Sequence, residues 1–77
     1  MRNEQVISRF LNGQKGRSSN GNLRTDGKEL INYYTVIAKR EEFGNIIVSE
    51  RKYSMTTTRI QNKLREMAVR YQTIEEF

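Results

Sequence analysis

Leu23-Arg24-Thr25-Asp26-Gly27-Lys28-Glu29-Leu30-Ile31-Asn32-Tyr33-Tyr34-Thr35-Val36-Ile37-Ala38-Lys39 is the stretch on which the fold turns. Asp26-Gly27 lies between segments suited to extended backbone, and such a pair is the strongest short-range signal for a tight hairpin turn. Ile31 to Lys39 is rich in β-branched and aromatic side chains, which fit a pleated surface, so it reads as one strand. Glu41-Glu42-Phe43-Gly44-Asn45 supplies a second turn, and Asn45 to Tyr53 a further strand. The strand period of two sends Ile47, Ser49, Arg51 and Tyr53 to one face and Ile46, Val48, Glu50 and Lys52 to the other. Both faces are apolar at the centre and charged toward the ends. That pattern suits a sheet covered on both sides at its middle, for instance by a helix on one and the N-terminal segment on the other.

On the C-terminal side, Ile60, Leu64, Met67 and Tyr71 recur at i, i+4, i+7 and i+11, one stripe of a helix over residues 56–72 with Ala68 at its edge. The stripe places Tyr71 in the core. Two helix starts compete: Thr58 with Gln61 matches a capping box, whereas Thr56 as cap lets Met55 and Ile60 form a hydrophobic staple. The tail, residues 73–77, is prone to fray. On the N-terminal side, Val6, Ile7, Phe10 and Leu11 share one face of a helix at 4–11, closed by Asn12-Gly13. Asn12 to Asn22 contains three glycines, two cations and no apolar side chain, and reads as a flexible basic loop. The expectation is a single small domain, 1–77, of the α+β class. It has an N-terminal helix (4–11), a flexible basic loop (12–22), a three- to four-stranded antiparallel meander within 23–53, and a C-terminal amphipathic helix (56–72) packed on the sheet.

Composition removes whole classes of function. A chain of 77 residues buries only about 60% of the surface its unfolded form exposes. With no cysteine and no histidine it has no disulfide, no thiolate metal site, and no imidazole base or ligand. The adjacent acids Glu41-Glu42 and Glu75-Glu76 point to opposite faces in a strand or about 100° apart in a helix, so neither pair converges on one scissile bond. The glycines at 13, 16, 21 and 27 match neither a Walker loop nor a dinucleotide fingerprint. No catalytic residue, metal or cofactor is expected. The longest apolar runs, Val36-Ile37-Ala38 and Ile46-Ile47-Val48, fall far short of the roughly 20 residues of a membrane span. The N-terminus turns polar where a signal peptide turns apolar. A soluble, cytoplasmic protein without a membrane partner is expected.

Charge points to a class of partner. Fourteen Lys and Arg against nine Asp and Glu give a net charge of +5, and the pI is about 9.9. Lys15 and Arg17 would form a basic arm that orders on phosphate. Arg59, Lys63 and Arg70 share a helix flank about 60° to 100° from the Ile60 stripe, interrupted by Glu66, with Arg65 across the helix. If the last strand runs directly into the helix, Lys52, Tyr53, Ser54, Thr56, Thr57, Thr58, Arg59 and Lys63 gather around a helix N-terminus, whose free backbone N–H groups suit a phosphate oxygen. Capping explains the threonines equally well, and solubility the mixed-charge flank. Tyr33, Tyr34 and Tyr53 would stack on bases if exposed and fill core if buried.

Three segments carry a resemblance: Asn22 to Leu30 with its "NL…DGK.L" pattern, Tyr34 to Arg40 with "Y.T.IA.R", and Lys52 to Gln61 with "KYS.TT…Q". Together they resemble a group of small uncharacterised proteins from bacteriophages and related mobile elements, over roughly residues 22–65. Where such relatives often have a second helix-start serine, this chain has Thr58, which keeps the hydroxyl. The N-terminal helix and the basic loop lie outside the likeness. The resemblance implies a phage setting in a bacterial host cell and no particular activity. Two readings follow. One is a non-enzymatic protein that binds nucleic acid, DNA or RNA, through phosphate contacts. The other is a phage-encoded inhibitor of a host nucleic-acid-handling complex, of the anti-CRISPR type; being basic, it would contact guide RNA, bound nucleic acid or an acidic effector surface rather than mimic DNA. A homodimer that hides short edge strands is a third, structural possibility.

Overall fold

The first helix, α1 (Asn3–Leu11), forms because Val6, Ile7 and Phe10 share a face and are all buried. Gln5 Oε1 accepts from the Arg2 backbone N–H (2.8 Å) at its start. Asn12 and Gly13 end it as expected: Gly13 takes φ 71° and donates its N–H to Phe10 O (3.1 Å), and Gln14 N donates to Arg9 O (2.8 Å). The structure, a computed structural model, describes residues 1–41, 44–49, 54–68 and 71–74. After α1 come β1 (Gly16–Arg17), β2 (Leu23–Thr25), β3 (Glu29–Asn32), β4 (Thr35–Arg40), β5 (Ile46–Ser49), α2 (Met55–Met67) and β6 (Gln72–Ile74). The strands form one sheet in chain order. The first five run antiparallel and β6 lies parallel to β5.

The α+β class holds, but among the described residues the sheet has six strands and is mixed, not a meander of three or four. Each added strand has a local reason. Within 12–22, Gly16 and Arg17 pair with Thr25 and Arg24, so part of the expected loop is an edge strand. Ser18 is buried there, its Oγ accepting from Leu23 N (3.1 Å) and donating to Asn20 Oδ1 (2.8 Å). Polar side chains order this segment by bonding the nearby backbone, which apolar patterning does not register.

The Asp26-Gly27 turn is where the sequence puts it. Asp26 Oδ1 accepts from Lys28 N (2.8 Å) and Glu29 N (2.9 Å), and Gly27 takes φ 98°. A Cβ on Gly27 would stand 2.7 Å from Gly13 O, so the position needs glycine on two counts. The run 31–39, by contrast, is not one strand. It breaks at Tyr33-Tyr34 into β3 and β4, with Asn32 opposite Thr35 and Tyr33 at φ 57°. Strand propensity conceals this turn, because both of its central residues are tyrosines. A register shift between Leu30 and Ile31 then leaves Ile37 unpaired, and Ile37 and Ala38 are both buried in the core. The second turn stands at Glu41–Asn45, with Glu41 N donating to Asn45 O (2.7 Å). Of the strand expected to run to Tyr53, Ile46–Ser49 is observed, and residues 50–53 lie outside the described ones.

The C-terminal helix also differs. Its cap is Ser54, whose Oγ accepts from Thr57 N (3.3 Å), rather than Thr56 or Thr58. Met55 is 76% exposed and makes no staple. The helix stops at Met67, Ala68 turns extended (φ −77°, ψ 130°), and the chain runs back beside β5 as β6. Tyr71 is therefore outside the helix and 42% exposed, not core. The buried stripe is Ile60 and Leu64, with Met67 packed against it and with Thr57 and Gln61 as polar members.

Both helices lie on one face of the sheet, contrary to the expected covering of both. Val6, Ile7 and Phe10 of α1 and Ile60 and Leu64 of α2 form one cluster with Leu23, Leu30, Ile37, Ala38, Ile46 and Val48 of the strands. Side chains as fully buried as Phe10, Leu23, Leu30 and Leu64 each contribute about 1.5–3 kcal/mol. Two buried polar bonds tie α2 down: Asn32 Nδ2 donates to Thr57 Oγ1 (2.7 Å) and Gln61 Nε2 to Ser49 O (2.9 Å).

Candidate functional site

Strand alternation fixes what the uncovered face carries. Leu23 and Thr25 of β2 turn into the core, so Arg24 between them turns away. Register then lines up Arg17, Arg24, Ile31 and Val36 in one row across β1 to β4. A second row holds Glu29, Lys39, Ile47 and Gln72. Among the described residues no helix lies on this face.

Arg17 and Arg24 are direct cross-strand partners. Like charges so placed destabilise a sheet by about 0.2–1 kcal/mol. Both guanidiniums extend toward the same end of the sheet. Arg24 Nη1 donates to Tyr33 O (3.0 Å), and Arg17 lies over Gly21, where a Cβ would stand 2.8 Å from its Nη2. Tyr33 N donates to Asn22 O (2.6 Å), which joins the β1–β2 loop to the β3–β4 turn. Through the Asn32–Thr57 bond the start of α2 reaches the same end. Tyr34 at the turn is 95% exposed and Tyr33 47%. Of the described acids, Glu4 at the start of α1 stands near this end, lining a shallow depression with Ser18, Ser19 and Asn20 of the β1–β2 loop. Asp26, Glu29 and Glu41 belong to the turns at the opposite end, while Glu4 and Glu66 flank Lys63 at 3.9 and 3.7 Å. Among the described residues Arg17 has no ion-pair partner.

The residues singled out from sequence are thereby separated. Arg17 is on the open face; Lys15 is exposed but precedes β1, on the side away from the tyrosine turn. At the helix start the hydroxyls mostly serve the fold. Ser54 is the cap, and Thr57 is buried with Oγ1 bonded to Asn32 and 3.1 Å from Ser54 Oγ. Thr56 and Arg59 are exposed and Thr58 is half-buried. Lys63 faces two carboxylates. Lys52 and Tyr53 lie outside the described residues, as does Arg70. Sequence reasoning passed over Arg24 altogether. Its pairing with Arg17 depends on a two-residue strand that leaves no periodic trace.

At the opposite end an open depression of about 1030 Å3 is lined by Gly13, Asp26, Gly27, Lys28, Arg40, Glu41, Gly44 and Asn45. It mixes two cations with two carboxylates. The backbone N–H groups of Gly13, Gly27, Lys28 and Gly44 are already bonded within the chain, so it offers no anion cradle. The bonds from Glu29 N and Lys28 N hold the Asp26 carboxyl below its ordinary pKa. Among the described residues no cluster of three or more acids could hold a metal ion, and no helix is long and apolar enough to cross a membrane.

Residues 4–75 match the model of a family described as a family of unknown function, DUF8033. No curated protein and no solved structure matches the chain.

Proposed function

We propose that this chain, which belongs to the DUF8033 family, is a non-enzymatic protein that binds nucleic acid through phosphate contacts on the open face of its sheet. The observation that carries the reading is the Arg17–Arg24 pair, two like charges set directly opposite each other on the open face of the sheet. Alone, the arrangement costs stability. A phosphate backbone laid across it removes the repulsion and releases counterions, and a planar guanidinium can donate two parallel N–H bonds to a pair of phosphate oxygens. Ile31 and Val36 continue the row as a half-buried apolar floor. Arg59 and Thr56 are exposed on α2, which covers the other face of the sheet, and so stand apart from this surface. Contacts of this kind position a strand without reading its sequence.

Arg17→Glu tests the reading because it drives stability and binding in opposite directions. Opposite Arg24 the carboxylate makes a favourable cross-strand pair, so the fold gains up to about 1 kcal/mol. Binding to labelled oligonucleotides, followed by fluorescence polarisation from about 50 to 200 mM salt, weakens, and the salt slope falls by about one phosphate contact. Lys63→Ala, at a position already flanked by Glu4 and Glu66, leaves the affinity nearly unchanged. Unaltered affinity in Arg17→Glu, or no binding at the lowest salt, overturns the proposal; in the second case an acidic protein surface becomes the partner to seek.

A further inference from the structure

We infer that the ligand of this face is single-stranded, with a base stacked on the Tyr33-Tyr34 turn. The inference rests on the nucleic-acid reading above and adds the form of the strand. A two-residue hairpin turn normally uses glycine, asparagine or aspartate where φ is positive, since these adopt that conformation at little cost. Here Tyr33 holds φ 57°, a conformation in which a bulky side chain is rare and which costs about 1–2 kcal/mol. Its neighbour Tyr34 is 95% exposed and so contributes almost nothing to the core. The fold thus sets an aromatic side chain at a strained position and a second, almost fully exposed ring beside it.

The turn is also held firmly. Tyr33 N is bonded to Asn22 O at 2.6 Å, Tyr33 O accepts from Arg24 Nη1 at 3.0 Å, and the preceding Asn32 is anchored to Thr57 at 2.7 Å. The guanidinium that bonds the turn belongs to the arginine pair, so ring and cation share one end of the sheet. An aromatic ring beside a phosphate-binding cation is the arrangement by which single strands are held. A duplex keeps its base faces stacked against one another, so the rings have no π-face to meet there. Because stacking reads no hydrogen-bond pattern, single-stranded DNA and RNA both qualify, and the 2′-hydroxyl is the only chemistry separating them.

The test compares a labelled single-stranded DNA, its RNA counterpart and the matching DNA duplex, each against the wild-type chain, Tyr34→Ala and Tyr34→Phe. The expected result is preference for the single strands, a loss of about 5- to 150-fold in Tyr34→Ala, and near wild-type affinity in Tyr34→Phe, which keeps the ring. The thermal midpoint of Tyr34→Ala stays within about 2–4 °C of wild type, the shift that about 0.5 kcal/mol at an exposed position produces in a domain of this size. Salt-dependent binding that Tyr34→Ala leaves intact, or a duplex bound as tightly as the single strand, overturns this inference while the phosphate reading stands. Absence of binding to all three probes overturns both.

Discussion

Thr57→Val asks whether the threonines at the start of α2 serve the fold or a ligand. Valine keeps the shape of the side chain and removes its hydroxyl. In the wild type that oxygen accepts from Asn32 Nδ2 at 2.7 Å, with Asn32 2% and Thr57 4% exposed. The substitution therefore leaves a buried amide N–H with an apolar neighbour. Stranding a buried donor costs about 1–3 kcal/mol. For a domain of 60–100 residues each kcal/mol lowers the thermal midpoint by about 4–8 °C, so a cost of about 2 kcal/mol corresponds to a fall of roughly 8–16 °C. The helix cap survives, because Ser54 Oγ bonds the Thr57 backbone N–H. Thermal unfolding by far-ultraviolet circular dichroism measures the shift. A cycle with Asn32→Ala and the double variant isolates the pair, with an expected coupling of about 1 kcal/mol. Oligonucleotide affinity, measured well below the lowered midpoint, stays near wild type. A midpoint within a degree of wild type together with a loss of affinity would refute the reasoning and return Thr57 to the ligand.

Two further outcomes follow from the turns. Gly27→Ala forces a side chain into φ 98° and its Cβ to 2.7 Å from Gly13 O; the left-handed backbone alone costs about 1–2 kcal/mol, so chemical denaturation should show a lower midpoint at unchanged m-value, and an unshifted midpoint would mean that the turn relaxes freely. Asp26 has its pKa lowered by the Glu29 and Lys28 backbone N–H bonds, so the stabilisation it supplies is present above the ordinary carboxylate range and is lost as pH falls through the depressed folded value. Asp26→Asn keeps an acceptor but not the charge. The gap in thermal midpoint between wild type and Asp26→Asn should therefore narrow on acidification, and a gap constant with pH would remove Asp26 from the acid response.

The sequence was legible where one local rule decides the structure. Val6, Ile7 and Phe10 mark α1, Asp26-Gly27 marks a hairpin, and Ile60 and Leu64 mark α2, because periodicity and turn chemistry act over a few residues. It was misleading where a distant contact overrides a local preference. Tyr33-Tyr34 has strand propensity but turns, and the bonds that fix it come from Asn22 in the β1–β2 loop and Arg24 on β2. Tyr71 continues the arithmetic of the helix, yet the chain leaves the helix before it, and the edge of β5 takes up Gln72–Ile74 instead. The candidate site shows the same division. Arg17 was visible as a cation in a polar stretch. Its partner Arg24 was not, since their opposition is set by the register of β1 on β2.

The parallel seam between β5 and β6 bears on the exposure of a strand edge. Ile46-Ile47-Val48 is uncharged and strongly β-prone, the kind of run that recruits like strands when its backbone groups stand unpaired at the margin of a sheet. β6 occupies that margin, bonding alongside Ile47, Val48 and Ser49. What it presents in exchange are the exposed side chains of Gln72 and Thr73 on a strand of three residues, a short polar border ill suited to templating. Gln72–Ile74 thus cover the margin of β5, and changes that weaken this pairing are expected to appear first as concentration-dependent aggregation rather than as unfolding.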